Sequence, residues 1–154
     1  MTTQDNEIYP NLASLDKRLI GAIIDAAVTL AVLFPIWYST GLFQKISDGQ
    51  SMTKREEIVS FIVGLVIFLI LQGYLLYKRG QTIGKVIVKT KIIDLDGSVP
   101  NFGKLIIFRY FFFRFVYHVP FIGRIICFAD VLFIFGEERR CLHDYLAGTI
   151  VVDT

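Results

Sequence analysis

A chain of 154 residues with 54% hydrophobic and only 19% charged residues departs from soluble domains, in which about 25% of residues are charged. A mean hydropathy of +0.57 over a length suited to one domain exceeds what a single water-soluble core accommodates. A net charge of +2 is too small for phosphate-driven binding of nucleic acid, and two cysteines do not make a disulfide scaffold.

Residues 1–17 form a polar N-terminal tail with Asp5, Glu7 and Asp16, and lack the basic start of a signal peptide. The apolar run 19–43 follows, about 25 residues long, and about 20 residues cross the roughly 30 Å of hydrocarbon in a bilayer. Pro35 lies inside it as a possible kink. After a polar connection, Gln44 to Glu57, the run 58–77 carries no charge and ends at Tyr74, Tyr77, Lys78 and Arg79. Aromatic and basic residues of this kind mark a cytosolic membrane interface.

Between Lys78 and Lys104 the pattern changes. Lys85 to Ile93 is rich in β-branched residues and meets the turn signal Asp94-Leu95-Asp96-Gly97. This predicts a short strand or hairpin outside the bilayer, with Thr149 to Asp153 as a second strand-like piece able to pair with it. The segment 105–135 is apolar but interrupted by Arg109, Arg114, Arg124 and Asp130, with His118 and Pro120 near its middle. Two full spans need about 40 residues. The expected form is a helix to His118, a break at Val119-Pro120 and a short helix to Phe135; whether the pair crosses twice, once or re-enters is left open.

The expected fold is therefore an all-α integral membrane protein. Two long transmembrane helices join a shorter third hydrophobic segment or helical hairpin, with a small strand-like cytoplasmic element. Lysine and arginine number two before the first span (Lys17, Arg18), three in the first loop (Lys45, Lys54, Arg55) and six from Lys78 to Lys104. The positive-inside rule then predicts a multi-pass cell-membrane protein with the N-terminus and the 78–104 loop in the cytoplasm. Arg139 and Arg140 put the tail on the same side, which requires an even number of crossings.

Ionisable residues within a bilayer cost roughly 2.5–3.5 kcal/mol each, so each calls for a partner or a function. Asp25 follows Arg18 by seven residues, close to two helical turns, so both share one face and bracket whatever lies between. Arg109, Arg114 and Arg124 are the available counter-charges for Asp25, and Asp130 also looks to another helix. Two readings stand open: Asp25 and Asp130 as cation or proton sites tuned by the arginines, or as buried pairs that fix helix packing. His118 is a proton relay or an interfacial residue. Gly80-Gln81-Thr82-Ile83-Gly84-Lys85 is one residue short of a phosphate loop and lacks its hydroxyl residue. Asp94-x-Asp96-Gly97 lacks the calcium-loop spacing. Cys127, Cys141, His118 and His143 have no zinc spacing. No enzyme, no metal and no cofactor is expected.

Leu15-Asp16-Lys17-Arg18-Leu19-Ile20-Gly21-Ala22-Ile23-Ile24-Asp25, the glycine loop 80–85 with its strand-like run, and Arg139-Arg140-Cys141-Leu142-His143-Asp144-Tyr145-Leu146-Ala147-Gly148-Thr149 together resemble the RDD family, over residues 15–152. The resemblance implies an RDD-like membrane domain at 18–152 and a mainly bacterial, membrane-embedded protein for which transport, including sodium–proton exchange, has been suggested. Arg18 and Asp25 match the family's arginine and first aspartate; Asp144 is taken as the second, with Asp130 the alternative. Asp144 is expected to hold the backbone of the glycine loop or to pair with Lys85 or Arg140. Expected partners are the lipid bilayer, a monovalent cation and protons, and further copies of the chain or another membrane protein. The two functional readings are a small-ion exchanger centred on Asp25, with Arg18 and Arg109 or Arg114 in support, and a non-catalytic module that assembles with another membrane protein. In the second, Lys85, Lys89 and Lys91 face anionic headgroups.

Overall fold

The computed structural model describes residues 11–116, 121–136 and 138–154. The side chain of Arg114, and all of His118, Val119 and Pro120, lie outside the described residues. Helix α1 (Leu15–Ser39) is followed by the short α2 (Leu42–Ser47) and by α3 (Lys54–Arg79). After these come α4 (Ile83–Ile87), strand β1 (Thr90–Asp94) and α5 (Phe102–Lys104), which runs on through a π-helix (Leu105–Phe111) into α6 (Phe112–Val116). The chain finishes with α7 (Ile122–Leu132), a 3-10 turn (Phe133–Phe135), α8 (Leu142–Ala147) and β2 (Thr149–Asp153).

Helices α1 and α3 are the two described helices long and apolar enough to cross a membrane. Pro35 is accommodated inside α1. Thr53 and Glu56 form a reciprocal cap at the start of α3, and Gly80 closes it in the left-handed conformation (φ 62°). Lys45 joins Glu56 at 2.7 Å, tying α2 to the start of α3. The α5–α6 helix packs antiparallel along α3 through ring contacts: Phe102 on Tyr77 (5.9 Å between centroids), Tyr110 on Phe68 (4.7 Å) and Phe111 on Phe61 (5.8 Å). The third segment is helical over residues 102–116 and 122–135, and the break expected at Val119-Pro120 lies outside the described residues.

β1 and β2 pair antiparallel, with Thr90 opposite Asp153, Ile92 opposite Val151 and Asp94 opposite Thr149. The N-terminal chain adds to the other edge of β2: Ala13 N donates to Val151 O (3.0 Å) and Asp153 N to Asn11 O (2.9 Å). The expected pairing of the 149–153 strand is present, but the first strand is shorter than its β-branched run. Residues 83–87 form α4 instead, because Thr82 caps a helical turn by accepting from Lys85 N (3.3 Å). The N-terminal chain, the 78–104 loop and the C-terminal strand consequently lie at one end of the bundle. Both limbs of the third segment return to that end, through Lys104–Asp94 (2.8 Å) and Asp130–His143 (2.7 Å). The buried core sits there, built from Ala13, Leu76, Ile92, Leu105 and Val151.

One close approach fixes α4 on α1. A Cβ on Gly84 would collide with the carbonyl oxygen of Gly21 and lie 2.9 Å from Asp25 Cγ. Gly73, a helical glycine of α3, meets only the Phe102 ring, at 3.8 Å. Gly84→Ala should therefore lower stability in detergent by about 2 kcal/mol or more, while Gly73→Ala should be neutral or stabilising by about 0.5–1 kcal/mol. Thermal unfolding of the two variants side by side checks the contrast.

Candidate functional site

The end of the bundle that carries the sheet holds two polar clusters, and each is assembled from residues far apart in sequence. The first centres on Asp144, at the third position of α8 and fully buried. Its Oδ1 pairs with Arg109 from the π-helix and accepts from Thr149 Oγ1 (3.4 Å). Its Oδ2 lies 3.6 Å from Arg18 Nη1 and accepts from the backbone N of Cys141 (3.2 Å), which caps α8. Arg18 also donates to the carbonyls of Arg139 (2.5 Å) and Val151 (3.0 Å). Arg140 holds the same corner from behind, donating to Thr149 O (3.2 Å) and Asp144 O (3.4 Å) while pairing with Glu138 at 3.0 Å. A carboxylate removed from water needs such a set of charged and hydrogen-bonding neighbours.

Asp130 extends this cluster. Its two oxygens accept from the backbone N and ring Nδ1 of His143, each at 2.7 Å, and His143 Nε2 lies 3.8 Å from Asp144 Oδ1. Burial and the neighbouring Arg109 charge pull the His143 imidazole down to about 4, against the opposing pull of Asp130. Burial and Asp130 push the Cys141 thiol up.

The second cluster centres on Asp25, half-buried between α1, α3 and α4. Oδ1 accepts from Gly84 N (2.7 Å) and from Gln72 Nε2 of α3 (3.1 Å), and Oδ2 from Thr82 Oγ1 (2.5 Å). Gln72 Oε1 in turn accepts from Ile83 N (2.7 Å). Lys85 is half-buried on α4, and among the described residues its ammonium makes no hydrogen bond or ion pair. Burial first, then the charges of Arg109 and Arg18, pull it down to about 8, against the opposing pull of Asp25.

Several sequence expectations are corrected by this arrangement. Arg18 and Asp25 do bracket a third group, and it is α4, whose Gly84 meets Gly21 between them. The glycine loop belongs to Asp25 rather than to Asp144, because α4 packs on α1 at that level. Arg109 is spent on Asp144, not on Asp25, and Arg124 is exposed. Lys85 makes no bond to Asp144, and Arg140 reaches only its backbone carbonyl. Lys89 is exposed, and Lys85 and Lys91 are half-buried. Gln72, Thr82, Lys85, His143 and Thr149 were not singled out as site residues. Gln72 was detectable as an amide in the charge-free run 58–77, since a polar group there calls for a partner.

Donor atoms of Cys141, His143 and Asp144 lie within 4.8 Å of one another. They do not fit a divalent cation: two guanidinium groups already face the Asp144 carboxylate, and the thiol is held in its protonated form. The cluster is an ion-pair node.

The RDD family model matches residues 12–148. This chain therefore belongs to the RDD family of membrane proteins. Comparison with curated proteins and with solved structures finds no match.

Two outcomes follow. Asp144→Asn should cost about 3–5 kcal/mol, because it strands two buried guanidinium groups, and much less in an Arg109→Met background; a double-mutant cycle on unfolding in detergent measures the difference. The imidazole of His143 is held below its ordinary value, so the folded state binds fewer protons than the unfolded state between about 6.5 and about 4. Stability should fall as pH drops through that window, and His143→Gln should flatten the fall.

Proposed function

We propose that this chain is a small-cation/proton exchanger of a bacterial cell membrane, with Asp25 as its cation site. One observation supports the reading above others: the Asp25 carboxylate on one span-length helix is bonded to Gln72 of the other and to Thr82 and Gly84 of the loop that follows it. Intramembrane carboxylates are costly and are kept for a purpose. Arg18 and Arg109 support the site at one remove, since they hold α8 and β2 against the helices that carry Asp25. The role is non-enzymatic, because the candidate acids and bases are engaged in ion pairs and caps.

The lysine-rich 78–104 loop supports a cytoplasmic position for the sheet end. N- and C-terminal chain at one end implies an even number of crossings, the 102–135 segment supplying a pair of short ones. A bundle this small encloses little volume, which favours a pathway shared between two or more copies.

A second reading is favoured by the low burial of the long helices. On α1 only Arg18, Gly21 and Leu33 are buried, and on α3 Val59, Ile62, Val66, Ile70 and Tyr74 form an exposed stripe. Such a stripe suits a module that assembles with another membrane protein as well as it suits lipid.

Sodium-dependent proton flux in proteoliposomes, between about pH 6.5 and 9, separates the two. The wild type should exchange, and Asp25→Asn should lose the flux about tenfold or more while still inserting. Flux retained by Asp25→Asn overturns Asp25 as the site; no flux in folded, oriented wild type overturns exchange and leaves the assembly module.

A further inference from the structure

Residues 82–88 pack on both α1 and α3 as a short arm with fixed ends. At one end Gly80 is left-handed (φ 62°), and its carbonyl accepts from Ile92 N (2.8 Å). A Cβ there would collide with the Ile92 carbonyl oxygen, so only glycine fits this turn. At the other end Lys89 is left-handed as well (φ 56°), a conformation uncommon for a residue with a side chain. Gln81 Nε2 donates to Thr90 O (2.8 Å) and Thr154 N to Lys89 O (3.0 Å), so both ends are clamped to the sheet. Between the clamps the arm is bonded within itself, Val86 N to Thr82 O (2.9 Å) and Val88 N to Gly84 O (3.0 Å). It can therefore move as one piece.

Apolar burial holds the arm down only weakly. Val86 and Ile87 are exposed, Ile83 and Val88 are half-buried, and the buried members are Thr82 and Gly84. Its attachment to the long helices is mainly polar and converges on two side chains. Asp25 accepts from Gly84 N, Thr82 Oγ1 and Gln72 Nε2, and Gln72 Oε1 accepts from Ile83 N. Bonds to an ionised carboxylate are stronger than neutral ones, so Asp25 supplies the larger share. A segment with few buried apolar contacts belongs to the low-stability end of a fold, where local opening precedes global unfolding.

We propose that residues 82–88 form a gate at the sheet end, hinged at Gly80 and Lys89, which the Asp25 carboxylate latches shut over the seam between α1 and α3. Opening uncovers Asp25 and the fully buried Gln72, and leaves the sheet and the Asp144 ion pairs in place. The gate concerns how the seam is closed and does not depend on whether an ion crosses the membrane.

Residue-resolved hydrogen exchange on the purified full chain in lipid nanodiscs tests this. In the wild type the amides of Ile83, Gly84, Val86 and Val88 should exchange together, about tenfold or more faster than the amides of the β1–β2 ladder. Asp25→Ala should speed Ile83, Val86 and Val88 by about tenfold again, although none of the three is bonded to Asp25, and should leave the ladder unchanged. An increase confined to Gly84 means that Asp25 holds one amide and no gate, and overturns the latch. An increase shared by the ladder is general loosening and overturns it too. Wild-type exchange of the arm at the rate of the ladder overturns the gate itself, and that comparison needs no variant to fold.

Discussion

Asp144 has no contact with solvent, and its carboxylate is compensated by the guanidinium groups of Arg18, from the first helix, and Arg109, from the third segment. The other contacts at the sheet end of the molecule depend on this convergence. Within a bilayer the hydrophobic effect does not drive helices together, so packing, hydrogen bonds and ion pairs must specify their arrangement. Here one carboxylate supplies that specification for three segments distant in sequence. The same guanidinium of Arg18 reaches the carbonyls of Arg139 and Val151, so the ion pair also holds β2 and the N-terminal chain in register. Replacing such a node with apolar residues need not cost stability, but breaking one side of it does.

Asp25 solves a different problem by the same means. A loop that folds back onto two long helices leaves backbone N–H groups near hydrocarbon, where no water satisfies them. Asp25 and Gln72 take the amides of Gly84 and Ile83, and the absence of side chains at Gly21 and Gly84 permits the contact. This latch sets α4 against α1.

The long helices were legible because continuous apolar runs of span length permit few alternatives, and the structure moves their ends by only a few residues. The strand at 149–153 was legible from its β-branched composition. Residues 85–87 were misread as strand because Val86, Ile87 and Val88 look like strand residues, while the Thr82 cap and the Gly84 contact decide for a helical turn. Motif order was enough to single out Arg18, Asp25 and Asp144 as charges that call for partners, and the structure gives each of them one. Their pairing was not legible: Arg109 has the right charge for either aspartate, and spacing along the chain says nothing about which one it reaches.

Composition, the length of the apolar runs and the order of the motifs were enough to establish a membrane protein of the RDD family. These properties follow from transfer free energies and local patterns, which act residue by residue. The assignment of Arg18 and Arg109 to Asp144, the packing of α4 on α1 and the meeting of both ends of the chain on one sheet were decided only by the tertiary structure. Ion pairs between segments depend on three-dimensional distance and on the removal of water, and neither is written in the spacing of residues along the chain.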